Sequence, residues 1–159
     1  MDSSRPALSP LQRELLEAFF TLDPRGFFLT GGSALAGFYL GHRTSKDLDL
    51  FAPPPADLDL AQWALEGAAR SLGCVVETQV RYPDFRRLLV SRVQDTTLVD
   101  LVVDRAPQID RNKVRFGVVV VDSEREIAAN KLCALVGRCE VRDIVDLKAL
   151  LEHGIVLDR

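Results

Sequence analysis

The sequence predicts an α/β fold: a mixed β-sheet flanked by helices, ending in two further helices. Three observations carry this. Apolar residues recur with period two in Asp47–Phe51, and further short strand-like runs such as Phe85–Val93 lie between turn signals. Helical-period stretches with recognisable caps lie around those runs. Near residue 122 the strand-like pattern gives way to helical pattern alone. With 159 residues, the chain can bury a core without disulfide or metal staples. The expected organisation is a core over 1–122 with a helical segment over 123–159 packed on it, one compact domain overall.

Ser9-Pro10 opens a helix, with serine at the N-cap and proline in the first turn. Leu11, Leu15, Ala18, Phe19 and Leu22 form its apolar stripe, and Asp23-Pro24-Arg25-Gly26 ends it. Phe27–Thr30 reads as a short buried strand, and Gly31-Gly32-Ser33 leads into a short helix over 34–40. A polar loop over 41–46 precedes the Asp47–Phe51 strand, which Pro53-Pro54-Pro55 stops. Asp57–Leu72 is an amphipathic helix closed by Gly73. Strands are expected over Cys74–Arg81, Phe85–Val93 and Thr97–Val103, with three-residue turns at 82–84 and 94–96. Residues 104–113 form a polar loop, and Val114–Val121 reads as one more strand. Ser123-Glu124-Arg125-Glu126 is a capping box for a helix to about Val136, and Val141–Leu151 is the last helix.

Composition excludes several classes. Apolar residues make up 47% of the chain, which argues against global disorder. Acids outnumber bases 23 to 20, which argues against a sequence-blind nucleic-acid coat. Three irregularly spaced cysteines and two histidines give neither a disulfide framework nor a zinc site. The first residues lack an apolar signal core and no stretch is long enough to span a bilayer. A soluble protein of a reducing cytoplasm, without membrane partners, is expected.

The chemistry centres on carboxylates. Period two sends Asp47 and Asp49 to one face of their strand. Adjacent like charges repel, and either a solvated edge or a divalent cation resolves the conflict. Asp100 sits in an apolar run, Leu98-Val99-Asp100-Leu101-Val102-Val103, where an unpaired carboxylate is costly. Capping a nearby loop, pairing with an arginine, or sharing a metal as a third carboxylate explains it equally well. Gly31-Gly32-Ser33, between strand and helix, suits close approach of a phosphate; an ordinary tight turn with Ser33 as N-cap suits the same residues. Lys131 lies on an apolar-edged helix face, where it must snorkel to water or meet an anion. Arg142 and Asp146 are spaced i, i+4 for a surface pair, and Asp143 shares with Asp146 a helix face that reads as solvated. Arg43 and Ser45 precede the acidic strand and could meet phosphate. Arg81, Arg86, Arg87 and Arg92 form one basic set; Arg105, Arg111, Lys113 and Arg115 form another, and each reads as ordinary surface charge or as contacts for an RNA backbone. Trp63 is expected in the core or an interface, His42 in a loop, and the cysteines as small packed apolar side chains.

Gly31-Gly32-Ser33-Ala34-Leu35-Ala36 followed by His42-Arg43-Thr44-Ser45-Lys46-Asp47-Leu48-Asp49-Leu50-Phe51 resembles the signature of the nucleotidyltransferase superfamily. The Arg-x-Ser-x-Asp-Leu-Asp-Leu-Phe wording is similar to the AbiEii-type branch, toxins of type IV toxin–antitoxin and abortive-infection systems. Ile127–Leu135, with Lys131, and Arg142-Asp143-Ile144-Val145-Asp146-Leu147 resemble that branch's later blocks. The resemblance implies a nucleotidyltransferase-like sheet and transfer of a nucleoside monophosphate from a nucleoside triphosphate (NTP, ATP among the candidates) to an RNA such as tRNA, or to a protein. It implies one or two Mg²⁺ held by Asp47, Asp49 and Asp100, the catalytic residues. Gly31, Gly32, Ser33, Arg43, Ser45 and Lys131 would bind nucleotide, with Arg142, Asp143 and Asp146 as further candidates. An antitoxin protein or a second copy of the chain are the expected partners. Two other expectations stand beside this one: a catalytically silent nucleotide- or partner-binding module, and a small-molecule nucleotidyltransferase of the antibiotic-modifying kind.

Overall fold

The computed structural model describes residues 6–156; residues 1–5, where a signal core was sought, and 157–159 lie outside the described residues. The described residues fold into a seven-stranded mixed sheet with helices on both faces. Helix α1 (Pro10–Thr21) starts on a full capping box: Ser9 accepts from the Gln12 amide, and the Gln12 side chain reaches back to the Ser9 amide. Strand β1 (Phe28–Thr30) runs straight into α2 (Gly31–Ala34), which widens into a π-helical stretch, Leu35–Leu40. Strand β2 spans Asp47–Ala52 and α3 spans Leu58–Ser71. The meander β3 (Val75–Tyr82), β4 (Phe85–Arg92) and β5 (Asp95–Val103) follows. Strands β6 (Val114–Phe116) and β7 (Val119–Val121) precede α4 (Glu124–Gly137) and α5 (Val141–Glu152).

The strand order is β3-β4-β5-β2-β1-β7-β6. Strands β3–β4–β5 pair antiparallel, as does β1 with β2, whereas β2 with β5 and β1 with β7 are parallel. Leu48, Leu50 and Ala52 of β2, with Val99, Leu101 and Val103 of β5, form one buried layer that joins the core made by Leu15 and Phe19 of α1 and Leu65 of α3. The same strands aim Asp47, Asp49, Asp100 and Val102 at the opposite face, where α2, α4 and α5 gather.

Local differences from the sequence expectation have physical causes. The 114–121 run is a hairpin of two strands, because Gly117 takes a left-handed φ of +63° and reverses the chain. The meander turns contain two residues rather than three, and Gln94 occupies the second at φ +64°. The capping box at Ser123 is half formed: Ser123 accepts from the Glu126 amide, but the Glu126 carboxylate accepts from the Asp110 amide at 2.8 Å. Trp63 is not core; it is 71% exposed on α3. Cys133 and Cys139 are exposed, and only Cys74 is partly packed.

Candidate active site

Strand β2 is central because it is flanked by β1 and β5. The register places Asp49 opposite Thr30 on one side and opposite Asp100 on the other. The Asp49 carboxylate makes no hydrogen bond or ion pair among the described residues. Burial, then the charges of Asp100 and Asp47, push its carboxyl up to about 6, with Lys131 and Arg142 opposing. Asp47 lies at the cleft rim, 3.9 Å from Arg142 Nη1. Asp100 is paired with an arginine, as one sequence reading allowed. Arg87, its cross-strand partner on β4, donates from Nε and Nη2 to the two carboxylate oxygens at 2.8 and 2.9 Å. The sequence places Arg87 in a basic set but does not pair it with Asp100, because the β4–β5 register that creates the pair is tertiary.

The glycine segment is the first turn of α2, and Thr30 rather than Ser33 is its N-cap. Gly31 has φ +72°, and a Cβ there would lie 2.5 Å from Asp49 Oδ2. A Cβ on Gly32 would lie 2.1 Å from Arg43 Nη2. The two glycines therefore let a carboxylate and a guanidinium press on bare backbone. Ser33 is buried, with Oγ 3.5 Å from the Thr30 carbonyl oxygen. Ser45 Oγ donates to the Asp47 carbonyl oxygen at 3.3 Å and fixes the approach to β2.

Behind this surface lies a buried ionic network. Asp146 accepts from Arg43 Nε and Nη2 at 2.7 and 2.8 Å, is 2.6 Å from His42 Nε2, and pairs with Lys131 Nζ at 2.8 Å. Asp143 accepts from Lys131 at 2.9 Å and from Arg138 at 3.1 and 3.2 Å. Both carboxylates are fully buried. Burial opposes their ionisation, but hydrogen bonds from these cations outweigh it and hold both below the usual carboxylate range. The solvated-face reading of Asp143 and Asp146 is thus overturned. The i, i+4 pair also fails to form: Arg142 turns to Glu140 at 2.7 Å, while Asp146 turns inward to Arg43. Lys131 meets anions instead of snorkelling to water. His42 is in a loop as expected, yet its contact with Asp146 carried no sequence signal.

These parts line a cleft of about 710 Å³. It gathers Gly31, Gly32, Ser33, Arg43, Ser45, Asp47, Asp49, Asp100, Lys131 and Arg142, with Asp143 and Asp146 as the layer beneath. Sequence reasoning did not single out Phe51, Phe85, Asn130 and Arg138, which also line it. Among the described residues, no three His, Cys, Asp or Glu side chains converge as a ready-made metal cage. The donor set instead fits a hard cation that takes one or two carboxylates and completes its shell from substrate phosphates and water. The Asp49 carboxylate, buried beside Asp100 and Asp47 with no hydrogen-bond or ion-pair partner among the described residues, is the observation that supports this fit. No described helix is long and apolar enough to cross a membrane.

No curated protein matches this chain. Among solved structures, JHP933 from Helicobacter pylori shares the fold with a TM-score of 0.66 and 20% identity, over 92% of this chain and 68% of that one. A candidate nucleotidyltransferase from H. pylori has a TM-score of 0.68 at 20% identity, over 89% of this chain and 67% of that one. The sequence profile of the nucleotidyl transferase AbiEii toxin family, of type IV toxin–antitoxin systems, matches residues 14–159. The match takes in the glycine turn, the Asp-x-Asp strand and both C-terminal helices, and the chain belongs to that family.

Proposed function

We propose that the protein transfers a nucleoside monophosphate from an NTP to a hydroxyl of an RNA acceptor and releases pyrophosphate. The observation that carries this is Asp49: a carboxylate without a direct hydrogen-bond or ion-pair partner among the described residues, pressed against Gly31 between Asp47 and Asp100, in a cleft ringed by cations. Bound at Asp47 and Asp49, with Asp100 beside them, one or two Mg²⁺ would neutralise charge on the reacting phosphates. Gly31 and Gly32, lacking side chains, let Asp49 and Arg43 close on the head of α2, beside which the triphosphate would lie. Arg43, held by Asp146, supplies a fixed guanidinium beside it. Lys131 and Arg142 add positive charge on the α4–α5 side. The acceptor oxygen forms a bond to the α-phosphorus as the bond to the bridging oxygen breaks, and the hydroxyl proton passes to Asp100. Phe51, Phe85 and Val102 offer an apolar wall for the base.

The silent-module reading draws on one observation: both oxygens of Asp100 are occupied by Arg87. One experiment separates the two. The protein is incubated with each α-labelled NTP, Mg²⁺ and total RNA or cell extract. Label on RNA, lost on Asp49→Asn, supports transfer. Nucleotide binding without label on any macromolecule supports the module, and label on protein alone overturns the RNA acceptor.

A further inference from the structure

A second cleft, of about 780 Å³, opens beyond the end of β2 and β5. It adjoins the first along one sheet face. Thr30, Phe51 and Val102 line the active cleft. Two residues away along each chain segment, Phe28, Pro53 and Asp104 line the second, and Asp104 belongs to both. Four cations surround it: Arg105, Arg111, Lys113 and Arg115. Only Asp23 and Asp104 oppose them in the lining, in a protein whose formal net charge is −3.

The four cations are not equivalent. Lys113 is a fixed part of the wall, with Nζ 2.8 Å from Asp122 Oδ1 and 4.0 Å from the Phe28 ring centroid. Arg105 reaches Asp84 at 3.3 Å, but both side chains are exposed, so that pair is weak. Arg111 and Arg115 are exposed and make no ion pair among the described residues. Two guanidinium groups thus stand free beside an apolar lining of four prolines, Pro24, Pro53, Pro54 and Pro107, laid over the buried Phe27 and Phe28.

We infer that this second cleft binds the phosphate backbone of a single nucleic-acid strand whose end enters the active cleft. Planar guanidinium groups fork onto phosphate oxygens. The exposed faces of Pro53, Pro54 and Pro107 offer apolar contact for bases, and a volume within the range of small-ligand pockets admits a few nucleotides but no duplex. An acidic peptide would satisfy the arginines but would leave the apolar wall unused. The inference rests on the RNA-acceptor reading above and adds to it where the strand lies.

The test is fluorescence anisotropy of a labelled single-stranded RNA oligonucleotide across a salt series, on the wild type, the Arg111→Ala/Arg115→Ala variant and the Arg111→Lys/Arg115→Lys variant. Both side chains are exposed, and thermal melting checks that the variants fold. The alanine variant should bind about tenfold more weakly, with a log–log salt slope shallower by about 1.4 for two lost phosphate contacts. The lysine variant should stay close to the wild-type slope, and NTP binding should not change. An alanine variant with wild-type affinity and slope overturns the site. So does a wild type that binds no RNA, or one that prefers an acidic peptide of equal charge. Arginine-dependent RNA binding without labelling of RNA in the transfer assay keeps the site and sinks the RNA-acceptor reading. RNA labelling that ignores both arginines does the reverse.

Discussion

A methyl group added at Gly31 would stand 2.5 Å from Asp49 Oδ2, so the backbone at the head of α2 and the carboxylate in mid-β2 occupy adjoining space. Gly31→Ala therefore meets two obstacles, the left-handed φ of +72° and the carboxylate itself. It should lower stability by about 1–2 kcal/mol and reduce transfer at least tenfold. Urea denaturation and the labelled-NTP assay check this; a variant with wild-type stability and activity would show that the turn tolerates a side chain.

Asp49→Asn should stabilise the metal-free protein at pH 7. The folded carboxyl titrates near 6, above its unfolded value of about 3.9. Between those values the folded state binds more protons than the unfolded one, so stability falls as pH rises from about 4 to 6. The expected gain from Asn is on the order of 2 kcal/mol at neutral pH, with that pH slope removed. Added Mg²⁺ should raise the melting temperature of the wild type and not of the variant. Equal pH profiles for the two proteins would contradict the electrostatic account.

Asp146→Asn breaks the network under the cleft, and breaking buried pairs costs roughly 3 kcal/mol. The sign of the pH effect is opposite to that of Asp49. With folded pKa values held below the usual range, the stability supplied by Asp143 and Asp146 is present above about 4 and is lost as pH falls further. The variant should show weaker acid sensitivity than the wild type in circular dichroism melts. Asp146→Asn should also raise KM for NTP more than it lowers kcat, because Arg43 loses its support.

Arg87→Met leaves Asp100 beside Asp49 without its cation. The metal-free protein should lose about 1 kcal/mol, Arg87 being partly exposed. The added negative charge should tighten Mn²⁺ binding several-fold, read by paramagnetic titration. Weaker metal binding in this variant would mean that Arg87 orients Asp100 for the ion instead of competing with it.

Much of this site was legible because it is written in local pattern. Period two put Asp47 and Asp49 on one face, and a charged residue in an apolar run exposed Asp100. Ser9-Pro10 and Asp57 marked helix starts that the structure reproduces. What escaped notice depends on register and packing. Arg87 meets Asp100 only because β4 pairs with β5 at that offset. Asp146 looked solvated because helix periodicity says which residues share a face but not which face turns inward. The hairpin at Gly117 was missed because Val114–Val121 is apolar enough to be one strand, and one left-handed glycine overrides that pattern.

The contact between Arg43 and Asp146 joins residues 103 positions apart in the chain. A growing polypeptide that has not yet produced α5 lacks the anchor for Arg43 and the counter-ions for Lys131. The cleft is therefore completed only once α5 has been made, and partial chains ending before α5 carry the carboxylates of β2 without the ionic network that backs them.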